Sequence, residues 1–251
     1  MINKKKIKIG KYNISYIYNF PLNNDYETLV IMIHGFGSDK DEKGNYVLLE
    51  KLLEKNNVAT IRFDMPGHGE SNGKTEEYSI DDVVLIVKSF VSKYKYKNYY
   101  LVGTSYGGAV AVLAAKSLII PKIVLYSPLL NFKNNIIYPQ NKFCSLFLGE
   151  KAFKRIEKFG FSFFGFTDAK IGKQLFEDAN KYAPEKEIGN LKSNILIFHG
   201  EDDEIIPIIQ SKEIVTKYNN VKLQIVPKEK HSFSNTKNFQ KIAQETVDYL
   251  I

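Results

Sequence analysis

Cysteine is nearly absent: Cys144 stands alone among 251 residues. One thiol forms no internal disulfide and builds no cysteine-rich metal site. Arginine is almost as scarce, since Arg62 and Arg155 are the two arginines among 35 basic residues, at a net charge of +7. Arginine supplies the bidentate contacts that recognise phosphates and guanines. The lysines are scattered, with one cluster at residues 4–8, so the charge reads as a solvated lysine-rich surface and no specific nucleic-acid binding is expected. Long apolar runs are missing too. A membrane-spanning helix needs about 20 mostly apolar residues, and the most apolar stretches, residues 28–33 and 109–115, are far shorter. The basic N-terminus leads into Lys8, Lys11 and Asn13 instead of an apolar signal core. Neither transmembrane anchoring nor a secretion signal is expected, and with the lone cysteine this points to the cytoplasm.

What is present suits one globular domain. Hydrophobic residues make up 44% of the chain and charged residues 25%, enough to bury a substantial core. No internal repeat and no Pro/Gly/Ser-rich linker divides it. Ile7 and Ile9, then Ile14, Tyr16 and Tyr18, alternate with polar residues around Gly10, which predicts an antiparallel hairpin. Short apolar runs follow at residues 29–33, 58–63, 99–102, 123–126, 195–198 and 223–226. Between them Tyr46, Leu49 and Leu53, and Ile80, Val83, Val87 and Val91, keep helical spacing. Ser79-Ile80-Asp81-Asp82 forms a capping box with Asp in place of Glu. Further helices are expected at 106–118, 208–218 and 239–250. Continuous apolar strands alternating with helices mean a mostly parallel sheet covered on both faces. About 65 residues between Ser127 and Asn194 exceed a plain crossover. They are expected to form a cap insertion at about 128–190 within a single domain spanning residues 1–251.

Gly103-Thr104-Ser105-Tyr106-Gly107 follows one apolar strand and opens a helix. A nucleophile must project from a tight strand-to-helix turn in a strained backbone, where larger neighbours would clash. The first N–H groups of that helix, Tyr106 among them, are free to meet a developing oxyanion. His34-Gly35-Phe36-Gly37 sits just past the 29–33 strand, and such a glycine-rich loop can aim a second N–H, that of Phe36, at the same oxygen.

With these motifs the chain resembles the α/β-hydrolase family, and most of all its cinnamoyl/feruloyl esterase-like and serine-aminopeptidase-like (monoglyceride-lipase-like) members. The resemblance is carried by His34-Gly35-Phe36-Gly37-Ser38-Asp39-Lys40, Arg62-Phe63-Asp64-Met65-Pro66-Gly67-His68-Gly69-Glu70-Ser71 and Gly103-Thr104-Ser105-Tyr106-Gly107-Gly108. It continues in His199-Gly200-Glu201-Asp202-Asp203-Glu204-Ile205-Ile206-Pro207 and His231-Ser232-Phe233. It implies an α/β-hydrolase fold and the family order of serine, acid, histidine. Of the four histidines, His34, His68 and His199 precede the expected acid, which leaves His231 as the base. The family pattern G-x-x-D-x-I-V-P sets Gly200 and Asp203 in register with Ile205-Ile206-Pro207, favouring Asp203 as the acid with Asp202 as the alternative. His34 and His68 are expected to brace loops, and Asp64 to be structural.

The expected reaction is hydrolysis of small to medium esters with an apolar or aromatic acyl part, through a Ser105–His231–Asp203 triad. No metal and no organic cofactor is expected. The partner is a small-molecule ester, and the sequence is compatible with a homodimer. Phe161, Phe163, Phe164 and Phe166, in the phenylalanine-rich stretch 159–166, are the expected substrate-binding residues. A peptidase or amidase, or a thioesterase or acyltransferase, would use the same triad, although no acidic pocket for a free amino terminus is evident. A binding protein that has lost catalysis is the remaining alternative, and the three filled triad positions argue against it.

Overall fold

A computed structural model describes residues 3–21, 26–165 and 167–251. The chain opens with an antiparallel hairpin, β1 (Asn3–Ile9) and β2 (Tyr12–Asn19), then enters β3 (Thr28–Ile33). Alternation follows: α1 (Asn45–Lys55), β4 (Ala59–Phe63), α2 (Ile80–Lys93), β5 (Asn98–Thr104), α3 (Tyr106–Ala115) and β6 (Lys122–Tyr126). After β6 come α4 (Gly149–Phe159), a two-stranded ribbon of β7 (Ser162–Phe163) and β8 (Lys170–Ile171), α5 (Lys173–Lys181) and α6 (Pro184–Glu187). The chain then resumes with β9 (Asn194–Gly200), α7 (Ile209–Lys217), β10 (Val221–Val226) and α8 (Thr236–Leu250).

Among the described residues eight strands form one sheet in the order β1-β2-β4-β3-β5-β6-β9-β10. The hairpin joins it antiparallel, with Tyr16 opposite Phe63, and the remaining pairs are parallel. The unbroken apolar run of β3 has its reason in the two cores. Leu29, Ile31 and Ile33 pack with residues of α2 and α3, whereas Val30 and Met32 face those of α1 and α8. Successive side chains of a strand alternate between faces, so a strand covered on both sides is apolar throughout.

Local signals act where the sequence puts them. The Ser79 hydroxyl accepts the Asp82 N–H at 3.1 Å and the Asp82 carboxylate accepts the Ser79 N–H at 2.9 Å, a complete capping box at the start of α2. Helix α3 ends at Ala115, earlier than the expected 118, because the Ser117 amide turns back onto the Ala114 carbonyl at 3.2 Å. Among the described residues no helix is long and apolar enough to cross a membrane.

Strand order reverses at β3: the chain goes from β3 outward to β4, then returns to the other side of β3 as β5. At such a switch point the loops leaving the two neighbouring strands diverge and open a crevice. Those loops carry His34–Gly37 and Ser105.

Candidate active site

Ser105 joins β5 to α3 with φ +52° and ψ −116°, outside the usual regions for a residue with a side chain. The turn is held on both sides. Its N–H donates to the Tyr126 carbonyl at 2.9 Å, and its own carbonyl accepts the Leu129 N–H at 2.9 Å and the Gly108 N–H at 3.0 Å. Gly107 has to be glycine, since a methyl group there would stand 2.1 Å from the Ile33 carbonyl oxygen. That close approach brings the start of α3 against the end of β3 and sets Ser105 beside the Gly35–Gly37 loop.

His231 lies between Ser105 and Asp203. Its Nε2 lies 3.0 Å from the Ser105 hydroxyl and its Nδ1 lies 2.8 Å from Asp203 Oδ2. The Asp203 side chain is fully buried, and that of His231 is 13% exposed. Asp203 Oδ1 accepts the Ile205 N–H at 2.9 Å and the Ile206 N–H at 2.8 Å, which is the physical content of the spacing to Ile205-Ile206-Pro207. Burial pushes the Asp203 carboxyl up, but hydrogen bonds from His199 and His231 more than offset it and hold the group well below its ordinary value. Asp202 is exposed and meets the site through its backbone alone, donating to the Glu229 carbonyl at 3.0 Å. Gly200 lets the acid and histidine loops touch, since a methyl group there would lie 2.4 Å from that same carbonyl oxygen.

His199 also touches the acid, a contact that sequence reasoning missed. Its Nε2 is 3.0 Å from the Ile206 carbonyl oxygen and 3.3 Å from Asp203 Oδ2, and its Nδ1 is 2.8 Å from the Ser211 hydroxyl. A carbonyl oxygen only accepts, so Nε2 carries the proton and Nδ1 accepts from Ser211. The imidazole thereby meets the same Asp203 oxygen, Oδ2, that His231 does.

The remaining two histidines brace the glycine-rich loop. His34 Nε2 accepts the Met65 N–H at 2.9 Å, so its Nδ1 is protonated and donates to the Gly35 carbonyl at 2.7 Å. His68 Nε2 accepts the Gly37 N–H at 3.1 Å and its Nδ1 donates to the Pro66 carbonyl at 3.1 Å. Asp64 accepts from the Lys40 amide and ammonium and from the Glu70 amide, a structural brace of the same loops. Burial lowers His34 to about 4; burial, helped by the neighbouring His34, lowers His68 to about 3. An exposed histidine titrates near ~6.5, so as pH falls the unfolded chain takes up these protons first. Their stabilisation is fully present above about 6.5 and declines below it, each histidine losing about 2 kcal/mol by about pH 5. Asp178, raised to about 6 by burial, works in the opposite sense and offsets part of this. Urea unfolding at pH 7 and 5 checks it: His68→Gln, which keeps an acceptor for Gly37, is expected to lose about 2 kcal/mol less than wild type over that interval. Equal losses in the two proteins would contradict the role given to His68.

Ser105 and His231 open on a cavity of about 330 Å³. Its walls include Phe36, Tyr106, Leu129, Ile136, Leu148 and Ile205, with Glu42, Lys43, Asn135 and Glu204 among the polar members. Neither the Phe36 N–H nor the Tyr106 N–H meets a protein acceptor among the described residues. Of the four phenylalanines expected to bind substrate, Phe164 lines this cavity. Phe161 and Phe163 do not. They pack edge-on at 5.5 Å and line a separate hollow with Phe147, Arg155 and Phe159. Phe166 lies outside the described residues. Glu42 and Cys144 are wall residues that sequence reasoning missed. Glu42 had no signal, because Asp39-Lys40-Asp41-Glu42-Lys43 reads as a solvated charged turn; in the fold Glu42 is 6% exposed, and burial raises its carboxyl while the Gly35 N–H draws it down. Among the described residues no group of three or more His, Cys, Asp or Glu side chains is placed to hold a metal ion.

Residues 30–239 match the model of the alpha/beta hydrolase family. The chain belongs to that family. Among curated relatives, it is 33% identical over 106 residues to the putative esterase/lipase 2 of Mycoplasma genitalium, covering 41% of this chain and 38% of the relative. It is 35% identical over 99 residues to the monoacylglycerol lipase ABHD6 of Homo sapiens, covering 38% of this chain and 28% of that protein. The chain thus spans well under half the length of these curated relatives. Among solved structures, the ferulic-acid complex of Est1E from Butyrivibrio proteoclasticus superposes with a TM-score of 0.81 at 22% identity, over 98% of this chain and 97% of that one.

Proposed function

We propose that this protein is a serine carboxylic-ester hydrolase. The observation that carries the reading is the unbroken hydrogen-bonded line from Ser105 Oγ through His231 to Asp203, opening on a mostly apolar cavity. As Ser105 Oγ attacks the ester carbonyl, His231 Nε2 takes its proton and the carbonyl electron pair moves onto oxygen. The N–H groups of Phe36 and Tyr106 hold that oxyanion. Asp203 keeps His231 in the tautomer with a free Nε2 and stabilises the imidazolium that forms. The adduct collapses, His231 returns the proton to the leaving alcohol, and an acyl group remains on Ser105. Water, deprotonated by His231, then attacks the acyl group, and the second adduct collapses to the carboxylic acid as His231 returns the proton to Ser105 Oγ.

The segment 128–190 acts as a cap of a single domain in this reading. It supplies Ile136, Cys144, Leu148, Phe164 and Leu175 to the cavity wall. A volume of about 330 Å³ sits at the small end of ligand sites, roughly 300–1,000 Å³, which favours small to medium acyl groups that are apolar or aromatic. Hydroxycinnamate esters belong in the test panel because Est1E holds ferulic acid.

Chain-length dependence tests the cavity. Each buried methylene improves transition-state binding by at most about 0.8 kcal/mol, or about fourfold in kcat/KM. A series of p-nitrophenyl esters is expected to climb from acetate, peak at a middle length and fall when the cavity is full. Phe164→Ala flattens the climb, and Phe163→Ala, at a side chain 52% exposed outside the cavity, leaves it alone. A series that falls from acetate onward in all three proteins would contradict the substrate assignment. Faster cleavage of aminoacyl arylamides than of every ester in the panel would replace the esterase by a peptidase.

A further inference from the structure

The turn before α1 and the first two residues of that helix touch the segments that carry Gly35, Ser105 and His231. Glu42 Oε2 accepts the Gly35 N–H at 2.8 Å. Asn45 Nδ2 donates to the Ser232 and Phe233 carbonyls, each at 3.4 Å, just beyond the histidine. The Tyr46 hydroxyl donates to the Ile33 carbonyl at 2.8 Å and accepts from the Thr104 hydroxyl at 2.8 Å, one residue before the serine. Three consecutive residues, Glu42, Lys43 and Gly44, have φ of +46°, +56° and +90°. Two of them carry side chains that disfavour this region, so the surrounding contacts hold the turn in place.

Glu42 occupies the decisive place in that turn. Phe36 is flanked by two glycines whose amides are both tied down by side chains: Gly35 by Glu42 and Gly37 by His68. The Phe36 N–H between them stays unpaired among the described residues. Gly35 also backs onto the nucleophile, since a methyl group there would lie 3.4 Å from Ser105 Cβ and 3.9 Å from Glu42 Oε2. We propose that Glu42 is a positioning residue for catalysis, whose carboxylate, by accepting the Gly35 N–H, fixes the Gly35 backbone that leads directly into the Phe36 N–H offered to the oxyanion. The inference rests on the serine-hydrolase reading and adds to it a wall residue that acts through the loop backbone and not on the reacting atoms.

Three substitutions separate this role from mere filling of space. Glu42→Gln keeps an acceptor oxygen, Glu42→Met keeps the volume without an acceptor, and Glu42→Ala keeps neither. Removing an oxyanion donor costs roughly 10²- to 10³-fold in kcat. A donor left in place but no longer held is expected to cost part of that. On p-nitrophenyl butyrate, Glu42→Met and Glu42→Ala are therefore expected to lose about 10- to 100-fold in kcat with KM changed less than about threefold. Glu42→Gln is expected to stay within about threefold of wild type in both constants, and thermal melts establish that each variant is folded. A Met variant as active as the Gln variant would reduce Glu42 to packing and overturn the inference, as would wild-type kcat in all three. Failure of the underlying reading shows elsewhere: wild type itself would neither hydrolyse the ester nor react with a fluorophosphonate, and both proposals would fall together.

Discussion

Ser105→Ala is expected to lower kcat for ester hydrolysis by at least about 10³-fold while leaving the melting temperature close to that of wild type. The chemical loss is large because the attacking oxygen is gone; a residual rate over water survives because the Phe36 and Tyr106 amides still polarise the carbonyl. The structural cost is small for a local reason. The Ser105 hydroxyl makes its hydrogen bond to His231, whose ring is partly exposed and can turn to water instead. The strained backbone is held by main-chain bonds to Tyr126, Leu129 and Gly108, which alanine keeps. Steady-state kinetics on the purified variant, beside a thermal melt, measure both halves. Turnover like that of wild type in a sample free of other esterases would remove serine catalysis.

Asp203→Asn is expected to cost about 10⁴-fold in kcat, the scale known for the same change in the serine-protease triad. Asp203 Oδ1 receives the Ile205 and Ile206 N–H groups, so the asparagine amide oxygen takes that place. Its NH₂ then faces His231 Nδ1, where Asp203 Oδ2 now lies at 2.8 Å. A donor there forces the proton to Nε2, and Nε2 can no longer accept from Ser105. Asp202→Asn changes an exposed side chain and is expected to stay within about threefold of wild type. Parallel kcat measurements decide between the two neighbours, and the reverse ranking would move the acid by one position.

The proposed reacting groups could be picked out in the sequence because each sits in a short contiguous motif whose glycines have a steric cause. Gly107 meets the end of β3 and Gly200 meets the histidine loop, so the sequence marks where segments touch. With four histidines in all, family order was enough to isolate His231. The sheet was legible for a similar reason, as strands covered on both faces leave unbroken apolar runs.

The cavity walls were not legible, and β7 shows why. A run of phenylalanines gives composition without a face. In the fold the strand alternation of β7 sends Phe163 outward beside Phe161 and leaves Phe164 to the cavity. Glu42 was hidden by the opposite effect. It lies in a charged stretch that reads as solvated, yet a left-handed turn folds it inward beneath the Gly35 amide. His199 was seen as part of a motif, but its grip on Asp203 depends on where Ile206 and Ser211 fall in space.

The central claim is that Ser105 becomes covalently acylated. Treating the protein with a fluorophosphonate and measuring the intact mass, followed by peptide mapping, tests this most directly. One adduct per chain, on the peptide containing Ser105, is the result the mechanism predicts, together with none on Ser105→Ala. An unmodified wild-type protein, or an adduct of equal extent that persists in Ser105→Ala, would contradict it.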